Sequence, residues 1–294
     1  PAGITDYVLD EQGVARFSDD TQMTLYTAEG LLLAHTRGAL RGIMASISYY
    51  MSFMYQDWYR TQTKEFSERR PCAWITGFPE LFARRAPGTT CMTACAAGAN
   101  GTLESPINDS KGCGGIMRVA PVGLFYSKRF SNMARHMTYA DIQLQGAEIA
   151  ALTHGHELGW LPAGAFAQIV SMIVHEDSPL SEAVAAASAT LPEAFPEARM
   201  VGVLQEIMER AVSLASSDLS DLDAIHELGE GWVAEETLAI GLLCALRYQG
   251  DFAGAIAAAS NHNGDSDSTA AVAGTIIGAQ IGYEAIPRRF VEPS

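Results

Sequence analysis

The protein has 294 residues, 48% of them hydrophobic and 18% charged, a composition typical of a globular protein with a large core. Its 34 acidic and 19 basic side chains give a net charge of −15, which excludes a nucleic-acid backbone as the main partner. The apolar content excludes a disordered chain, and no run of basic residues suits an anionic membrane surface.

Helical periodicity of about 3.6 residues dominates the sequence, while alternating strand patterns are rare. The first predicted helix runs from about Asp20 to His35, with Ser18 or Asp19 placed to cap it. Its buried face is predicted to consist of Met23, Tyr26, Thr27, Gly30, Leu31 and Ala34.

A second long helix is predicted from Tyr139 to about Glu157, stopped by Gly159 and Pro162. The remaining predicted helices are Gly164–Val174, Leu180–Ala189, Val201–Leu214, Val233–Tyr248, Phe252–Ala259 and Ser266–Tyr283. Alanine, the best helix former, is abundant among them. We therefore expect an all-α fold, and the absence of a marked shift in composition favours a single domain over residues 1–294.

Two segments, Phe66–Thr90 and Gly98–Gly115, resist a helix assignment because prolines or glycines interrupt them. They are long for plain connections, and ordered loops of such length are often functional.

The cysteines are odd in number and irregularly spaced, which fits neither a disulfide framework nor a zinc ribbon. They are Cys72, Cys91, Cys95, Cys113 and Cys244. We expect reduced thiols, a cytoplasmic location and, for Cys91 and Cys95, packing on one helix face. The apolar run Ser268–Tyr283 is shorter than the roughly 20 residues of a transmembrane helix, so no membrane association is expected.

Two oxygen-rich clusters each begin a predicted helix. Ser18, Asp19 and Asp20 open the first helix, and the segment Asn263–Thr269 opens the last. Hard divalent cations such as Mg²⁺ prefer carboxylate and hydroxyl oxygens, so packing of the two helix starts together would create a metal site. Each cluster alone is also typical of an ordinary helix N-cap with acidic residues in the first turn.

Two other interpretations of the second cluster fail on spacing. An EF-hand loop starting at Asp265 would need glycine at Ala270 and glutamate at Ile276. The aspartyl nucleophile of a haloacid-dehalogenase-type phosphatase would need a buried strand before Asp265, and the preceding residues are polar.

The segment Gly112–Arg118 is a glycine-rich turn whose backbone amides can approach a phosphate closely. It lacks the full spacing of a dinucleotide-binding or Walker A loop. His154 and His156 lie two positions apart in the sequence, but no second pair of His or Cys residues accompanies them, so a zinc site is not expected there.

Taken in chain order, five motifs resemble the ADP-ribosylglycohydrolase family, the type that includes the dinitrogenase reductase-activating glycohydrolase. They are Ser18–Met23, Gly112–Pro121, Leu152–His154 with Gly159, Gly231–Glu236, and Gly264–Ala270. The resemblance spans about residues 18–283 and implies an orthogonal multi-helix domain. Members normally begin with an additional N-terminal helix that the segment Pro1–Phe17 does not resemble, so we expect that helix to be missing here.

The resemblance also implies a site with two Mg²⁺ or Mn²⁺ ions. Its metal ligands would be Ser18, Asp19, Asp20, Asp265, Asp267 and Ser268. The loop that would bind the diphosphate of ADP-ribose consists of Asp109, Ser110, Lys111, Gly112, Cys113, Gly114 and Gly115, and His154 would line the same pocket. The family usually has threonine at the two serine positions, and the hydroxyl is preserved.

The implied activity is metal-dependent hydrolysis at the anomeric carbon of ADP-ribose, with Asp19 or Asp20 orienting or deprotonating the attacking water. The substrate would be an ADP-ribosylated protein or a small ADP-ribose derivative, linked through arginine, serine or another group that the loop Pro71–Pro87 would select. The alternative is a non-catalytic ADP-ribose-binding or crystallin-like structural relative. The sequence carries no pattern that indicates an oligomeric state.

Overall fold

The structure, a computed structural model, describes residues 3–42, 46–67, 72–128 and 137–291. In these ranges the regular structure is helical and the only strand-like pairings are two isolated bridges, which confirms the all-α prediction. The helices are α1 (Asp19–Arg41), α2 (Ile47–Thr63), α3 (Thr89–Ala96), α4 (Ala120–Phe125), α5 (Tyr139–Ala151), α6 (Glu157–Glu176), α7 (Leu180–Ala194), α8 (Val201–Ala215), α9 (Asp221–His226), α10 (Ala234–Arg247), α11 (Phe252–Ser260), α12 (Ser266–Ile281) and α13 (Arg288–Val291). Short 3₁₀ turns cover Trp74–Gly77, Pro79–Leu81, Cys113–Gly115 and Tyr283–Ala285.

Helix α6 lies at the centre of the core. It packs against α4, α5, α7, α10 and α12. By length and composition it could cross a membrane, but 89% of its most apolar 18-residue stretch is buried inside the protein. The apolar character of α6 therefore matches its position among other helices.

The predicted helix Tyr139–Glu157 is wrong after Ala151. Helix α5 ends at Ala151, and α6 begins at Glu157 and includes both Gly159 and Pro162. The turn between α5 and α6 is fixed by the loop that contains Asn108, because the Gly155 amide donates to the Asn108 side chain. The two backbones also approach closely, since a Cβ at Gly155 would lie 2.1 Å from the Asn108 carbonyl oxygen. Packing of the buried helix α6 outweighs the one backbone hydrogen bond that Pro162 cannot make.

The first helix extends further than predicted, to Arg41, and the predicted face is buried. The last long helix ends at Ile281, before Gly282 with its positive φ of 75°. Within α12, Gly274 allows a close approach of α11, since a Cβ there would lie 2.8 Å from Ile256. Helix α2 was not predicted.

The segment between α2 and α3 is fixed by buried side chains of the first two helices. Glu29 accepts hydrogen bonds from the amides of Trp74 (2.5 Å) and Ile75 (3.2 Å), and Asp57 accepts from those of Cys72 (2.7 Å) and Ala73 (2.8 Å). This segment then runs to the start of α1, where the Asp19 amide donates to the Arg85 carbonyl. Pro71, the first residue of the predicted specificity loop Pro71–Pro87, lies outside the described residues.

The glycine-rich loop is tied to the start of α10. Gly112 pairs with Val233 in an isolated bridge, the Cys113 amide donates to the Trp232 carbonyl (3.2 Å), and the Ala234 amide donates to the Lys111 carbonyl (2.9 Å). These contacts bring residues more than a hundred positions apart to one side of the α1–α12 contact.

Candidate active site

Three carboxylates from the two acidic motifs converge where α1 and α12 begin. One oxygen each of Asp19, Asp20 and Asp267 lies within 4.8 Å of the other two. Asp19 and Asp20 are each only 4% exposed, while Asp267 is exposed. The two helix starts thus do pack together, which the sequence predicted only as a condition for a metal site.

Burial and mutual repulsion raise the pKa values of these carboxyl groups. Burial raises the pKa of Asp19 to about 8, with Asp20 and then Asp267 adding to the rise. The pKa of Asp20 is also raised, chiefly by burial and then by Asp267. Ionised carboxylates that are buried and close together repel one another, so their ionised forms are unfavourable unless a positive charge lies between them.

The donor set fits a hard divalent cation. The Oδ1 atom of Asp20 is buried without a hydrogen-bond partner among the described residues, and its Oδ2 accepts from the Ser18 hydroxyl at 3.0 Å. An unpartnered buried carboxylate oxygen is costly, and a cation coordinated at that oxygen would remove the cost. Carboxylate and hydroxyl oxygens are also the ligands that Mg²⁺ and Mn²⁺ prefer.

The other predicted ligands lie close by in different settings. Asp265 stands beside the glycine loop, where its Oδ2 accepts a hydrogen bond of 2.6 Å from the Cys113 thiol. Its pKa is raised by burial and by Asp267. Ser268 is buried and Ser18 is half-buried. Asp265 lies outside the group formed by Asp19, Asp20 and Asp267. The second acidic motif therefore supplies two carboxylates in different surroundings, with Asp265 beside Cys113.

A cavity of about 440 Å³ joins the carboxylates to the glycine loop. Its lining includes Asp19, Asp20, Asp265, Asp267 and Ser268 on one side, and Gly112, Cys113, Gly114 and His154 on the other. Gly88 before α3, Thr89 and Thr90 at its start, and Trp232 also line the cavity. A second cavity of about 750 Å³, mostly apolar, borders Ser18, Asp20 and Asp267 from the side of the N-terminal segment.

The predicted diphosphate loop reaches the cavity only in part. Asp109, Ser110, Lys111 and Gly115 do not belong to the lining. Asp109 is exposed, and the Ser110 hydroxyl bonds with that of Thr90 at 3.1 Å. Lys111 forms an ion pair with Glu235 at the start of α10. These four residues lie away from the cavity, and Gly112, Cys113 and Gly114 line it.

Glycine is required in the loop because other groups approach it closely. A Cβ at Gly114 would lie 2.6 Å from the Cys91 sulfur, and one at Gly115 would lie 2.7 Å from the Gly159 carbonyl oxygen. The cysteine prediction is confirmed as to packing, since Cys91 and Cys95 are both buried in α3. Cys91 also borders the cavity, which the spacing of cysteines did not indicate.

Beneath the loop lies Arg118, which is completely buried and was given no role from the sequence. It donates to the Gly114 carbonyl (2.8 Å) and the Thr153 hydroxyl (2.6 Å), and its guanidinium lies 4.3 Å from the centre of the Tyr55 ring. His154 is buried beside it, and burial and then the charge of Arg118 lower the pKa of His154 to about 3. The histidine is therefore neutral at physiological pH.

Residues missed by sequence reasoning belong mainly to α3 and to this buried network. Thr89 and Thr90, two hydroxyls at a helix start, offered a signal comparable to that of Ser18. Arg118 and Thr153 lie within the motifs Gly112–Pro121 and Leu152–His154, but the sequence does not show the contact between them, which joins residues 35 positions apart.

Carboxylates and a glycine loop thus line one cavity in a protein whose described residues are helical. The whole chain, residues 1–294, matches the family model of ADP-ribosylglycohydrolase, and the protein belongs to this family. The family acts on ADP-ribosylated substrates, which supports glycohydrolase activity in general.

The fold is also found among solved structures. One titled "ADP-ribosylglycohydrolase-related protein complex" is similar over 94% of this chain and 75% of that chain, with a TM-score of 0.58 and 24% sequence identity. At this identity the similarity concerns the fold alone. A comparison with curated proteins finds no match.

Proposed function

We propose that this protein is a metal-dependent hydrolase that cleaves the N- or O-glycosidic bond at the anomeric carbon of ADP-ribose. It releases ADP-ribose from an ADP-ribosylated protein or a small ADP-ribose derivative. The observation that supports this most strongly is the convergence of three carboxylates within 4.8 Å, on the wall of the cavity that also contains the glycine loop.

The reaction adds one water molecule across the glycosidic bond. The water oxygen bonds to the anomeric carbon, the bond from that carbon to the leaving nitrogen or oxygen breaks, and the leaving atom gains a proton. Positive charge develops on the sugar during this exchange, as in other glycoside hydrolyses. The carboxylates of Asp19, Asp20 and Asp267 would stabilise that charge.

The metal ligands in this proposal are Ser18, Asp19, Asp20, Asp265, Asp267 and Ser268, holding two Mg²⁺ or Mn²⁺ ions. When bound, such ions lower the pKa of water and align the hydroxyls of the reacting ribose. Asp19 and Asp20 remain the candidates for orienting the water and accepting its proton, because both carboxylates line the cavity beside Asp267.

The glycine side of the cavity suits the diphosphate. Gly112 and Gly114 present backbone without side chains, and the buried Arg118 donates a hydrogen bond to the Gly114 carbonyl. Among the described residues no carboxylate pairs with Arg118, so its charge attracts an anion to a chain that is otherwise strongly acidic.

The free thiols of all five cysteines favour a reducing compartment such as the cytoplasm.

The alternative of a non-catalytic structural relative is not favoured. A protein without metal chemistry gains nothing from three crowded carboxylates with an unpartnered buried oxygen on Asp20. Such groups reduce stability unless they bind a cation.

The proposal is tested by release of free ADP-ribose from arginine-linked, serine-linked and small-molecule substrates, with Mg²⁺, Mn²⁺ or EDTA. We expect turnover of at least one substrate that EDTA abolishes. Asp267→Asn should remove this turnover, while the matched control Asp218→Asn, at an exposed position after α8, should retain it. Equal activity in EDTA, or full activity of Asp267→Asn, would contradict the metal-dependent mechanism.

A further inference from the structure

The hydroxyl of Thr153 connects the buried Arg118 to His154. Arg118 donates to Thr153 Oγ1 at 2.6 Å, and the same oxygen lies 2.8 Å from His154 Nδ1. A guanidinium can only donate, so the Thr153 oxygen is an acceptor toward Arg118. The direction of the second hydrogen bond then depends on where the Thr153 hydroxyl proton points.

The Thr153 proton has two candidate acceptors, the Ala150 carbonyl oxygen at 3.4 Å and His154 Nδ1 at 2.8 Å. The Ala150 oxygen already accepts from the amides of Thr153 (3.1 Å) and His154 (3.0 Å), which occupy its two lone pairs. The shorter and unoccupied acceptor is the ring nitrogen. The Thr153 hydroxyl therefore donates to His154 Nδ1, and the neutral ring carries its proton on Nε2.

The Nε2 atom faces the glycine loop. It would lie 3.4 Å from a Cβ at Gly112 and 3.3 Å from one at Gly114, so the two glycines leave the space above it open. His154 is 1% exposed overall and borders the cavity, and no partner of Nε2 is found among the described residues. An N–H that opens into a cavity without a protein acceptor is a binding group for a ligand oxygen.

We propose that Arg118 and Thr153 are positioning residues that fix His154 as the Nε2–H tautomer, so that Nε2 donates a hydrogen bond to a phosphate oxygen of the substrate. This inference rests on the proposed function, which supplies the diphosphate. The neutral ring donates one directed hydrogen bond. The unpaired charge of Arg118, relayed through the hydroxyl, polarises that N–H toward the anion.

The tautomer is tested first, in the metal-free and ligand-free protein. Nitrogen-15 NMR of the ring nitrogens distinguishes a protonated from an unprotonated nitrogen, and the His154→Gln variant assigns the signals among the seven histidines. We expect Nδ1 to be unprotonated and Nε2 protonated in the wild type between pH 6 and 8. An Nδ1–H tautomer, or a ring that titrates in this range, would overturn the proposal without reference to any variant.

The second test pairs Thr153→Val, which removes the hydroxyl, with Thr153→Ser, which keeps it. We expect Thr153→Val to shift the tautomer and weaken ADP-ribose binding in calorimetry by about three- to tenfold, the loss of one hydrogen bond. Thr153→Ser should restore both. Weaker binding by Thr153→Val with an unchanged tautomer would show a structural role only and overturn the proposal.

The proposed function can fail separately. If the wild type shows the Nε2–H tautomer but binds no ADP-ribose with or without Mg²⁺, the proposed function and the phosphate ligand are both refuted, while the tautomer assignment stands. If the wild type binds ADP-ribose but carries the Nδ1–H tautomer, the positioning role is refuted and the function stands.

Discussion

The thiol of Cys113 donates a hydrogen bond of 2.6 Å to Asp265, which joins the glycine loop to the second acidic motif across 152 positions of sequence. The bond stabilises the ionised form of Asp265 and opposes the rise in its pKa caused by burial and by Asp267. The two sides of the cavity are therefore chemically linked before any ligand binds.

Removing the Cys113 thiol should weaken metal binding. In Cys113→Ala the pKa of Asp265 should rise further, so protons compete more strongly with the metal. We expect an affinity for Mn²⁺ about three- to tenfold lower at pH 6, with Cys113→Ser close to the wild type. Calorimetric titration of both variants checks this, and an unchanged Cys113→Ala would show that the thiol does not influence Asp265.

The metal-free protein should become less stable as pH rises. Asp19 has a folded-state pKa of about 8 against about 3.9 in an unfolded chain. Between these values the folded state binds more protons, so the free energy of unfolding falls with increasing pH, with the full penalty present above about pH 8.

The variant Asp19→Asn isolates this effect from the rest of the acidic surface. In EDTA its melting temperature should exceed that of the wild type, by a margin that grows from pH 5 to pH 8. A margin independent of pH would mean that Asp19 has an ordinary pKa. Thermal melts of the two proteins side by side make the comparison.

Asp20→Asn should separate stability from metal binding. The substitution removes one charge from the crowded carboxylates, so we expect a higher melting temperature in EDTA. It also removes a ligand with an unpartnered oxygen, so Mg²⁺ should no longer raise the melting temperature as it does in the wild type. An equal stabilisation by Mg²⁺ in both proteins would exclude Asp20 as a ligand.

Gly114→Ala should displace the loop. The new Cβ would lie 2.6 Å from the Cys91 sulfur and 3.0 Å from the His154 ring, so we expect a loss of about 1–3 kcal/mol in the free energy of unfolding and weaker ADP-ribose binding.

The matched control is Gly202→Ala on the exposed face of α8, where a Cβ meets nothing within 4 Å. It should raise the free energy of unfolding by about 0.5–1 kcal/mol, because alanine is the better helix former. Denaturant unfolding and calorimetry of the two variants provide the comparison. If Gly114→Ala lowered neither the free energy of unfolding nor the affinity for ADP-ribose, the close packing of the loop against Cys91 and His154 would be contradicted.

The sequence predicts what depends on local pattern. The periodic apolar face of α1 from Met23 to Ala34 is buried as expected, and the two acidic motifs do begin helices. Helix α2 was missed although its buried residues, among them Tyr50, Met54 and Trp58, recur at helical spacing, so this miss is not due to a weak periodic pattern. The turn before α6 was missed because the distant residue Asn108 holds it.

The same limit applies to the candidate site. Carboxylates and hydroxyls at helix starts are visible as motifs, so the acidic side could be predicted as a hypothesis. The arrangement behind the glycine loop could not, because Arg118 acquires its role only when α5 brings Ile149 and the following Thr153 within hydrogen-bond distance of it. Which of the residues 109–115 face the cavity likewise depends on the pairing of Gly112 with Val233.

Calorimetric titration with ADP-ribose, once with Mg²⁺ and once with EDTA, tests the central claim most directly. We expect binding that requires Mg²⁺, because Asp19, Asp20 and Asp267 would hold a cation and the cation would supply attraction for the ribose hydroxyls. Binding of equal strength in EDTA, or no binding in either condition, would contradict the assignment of this cavity as a metal-dependent ADP-ribose site.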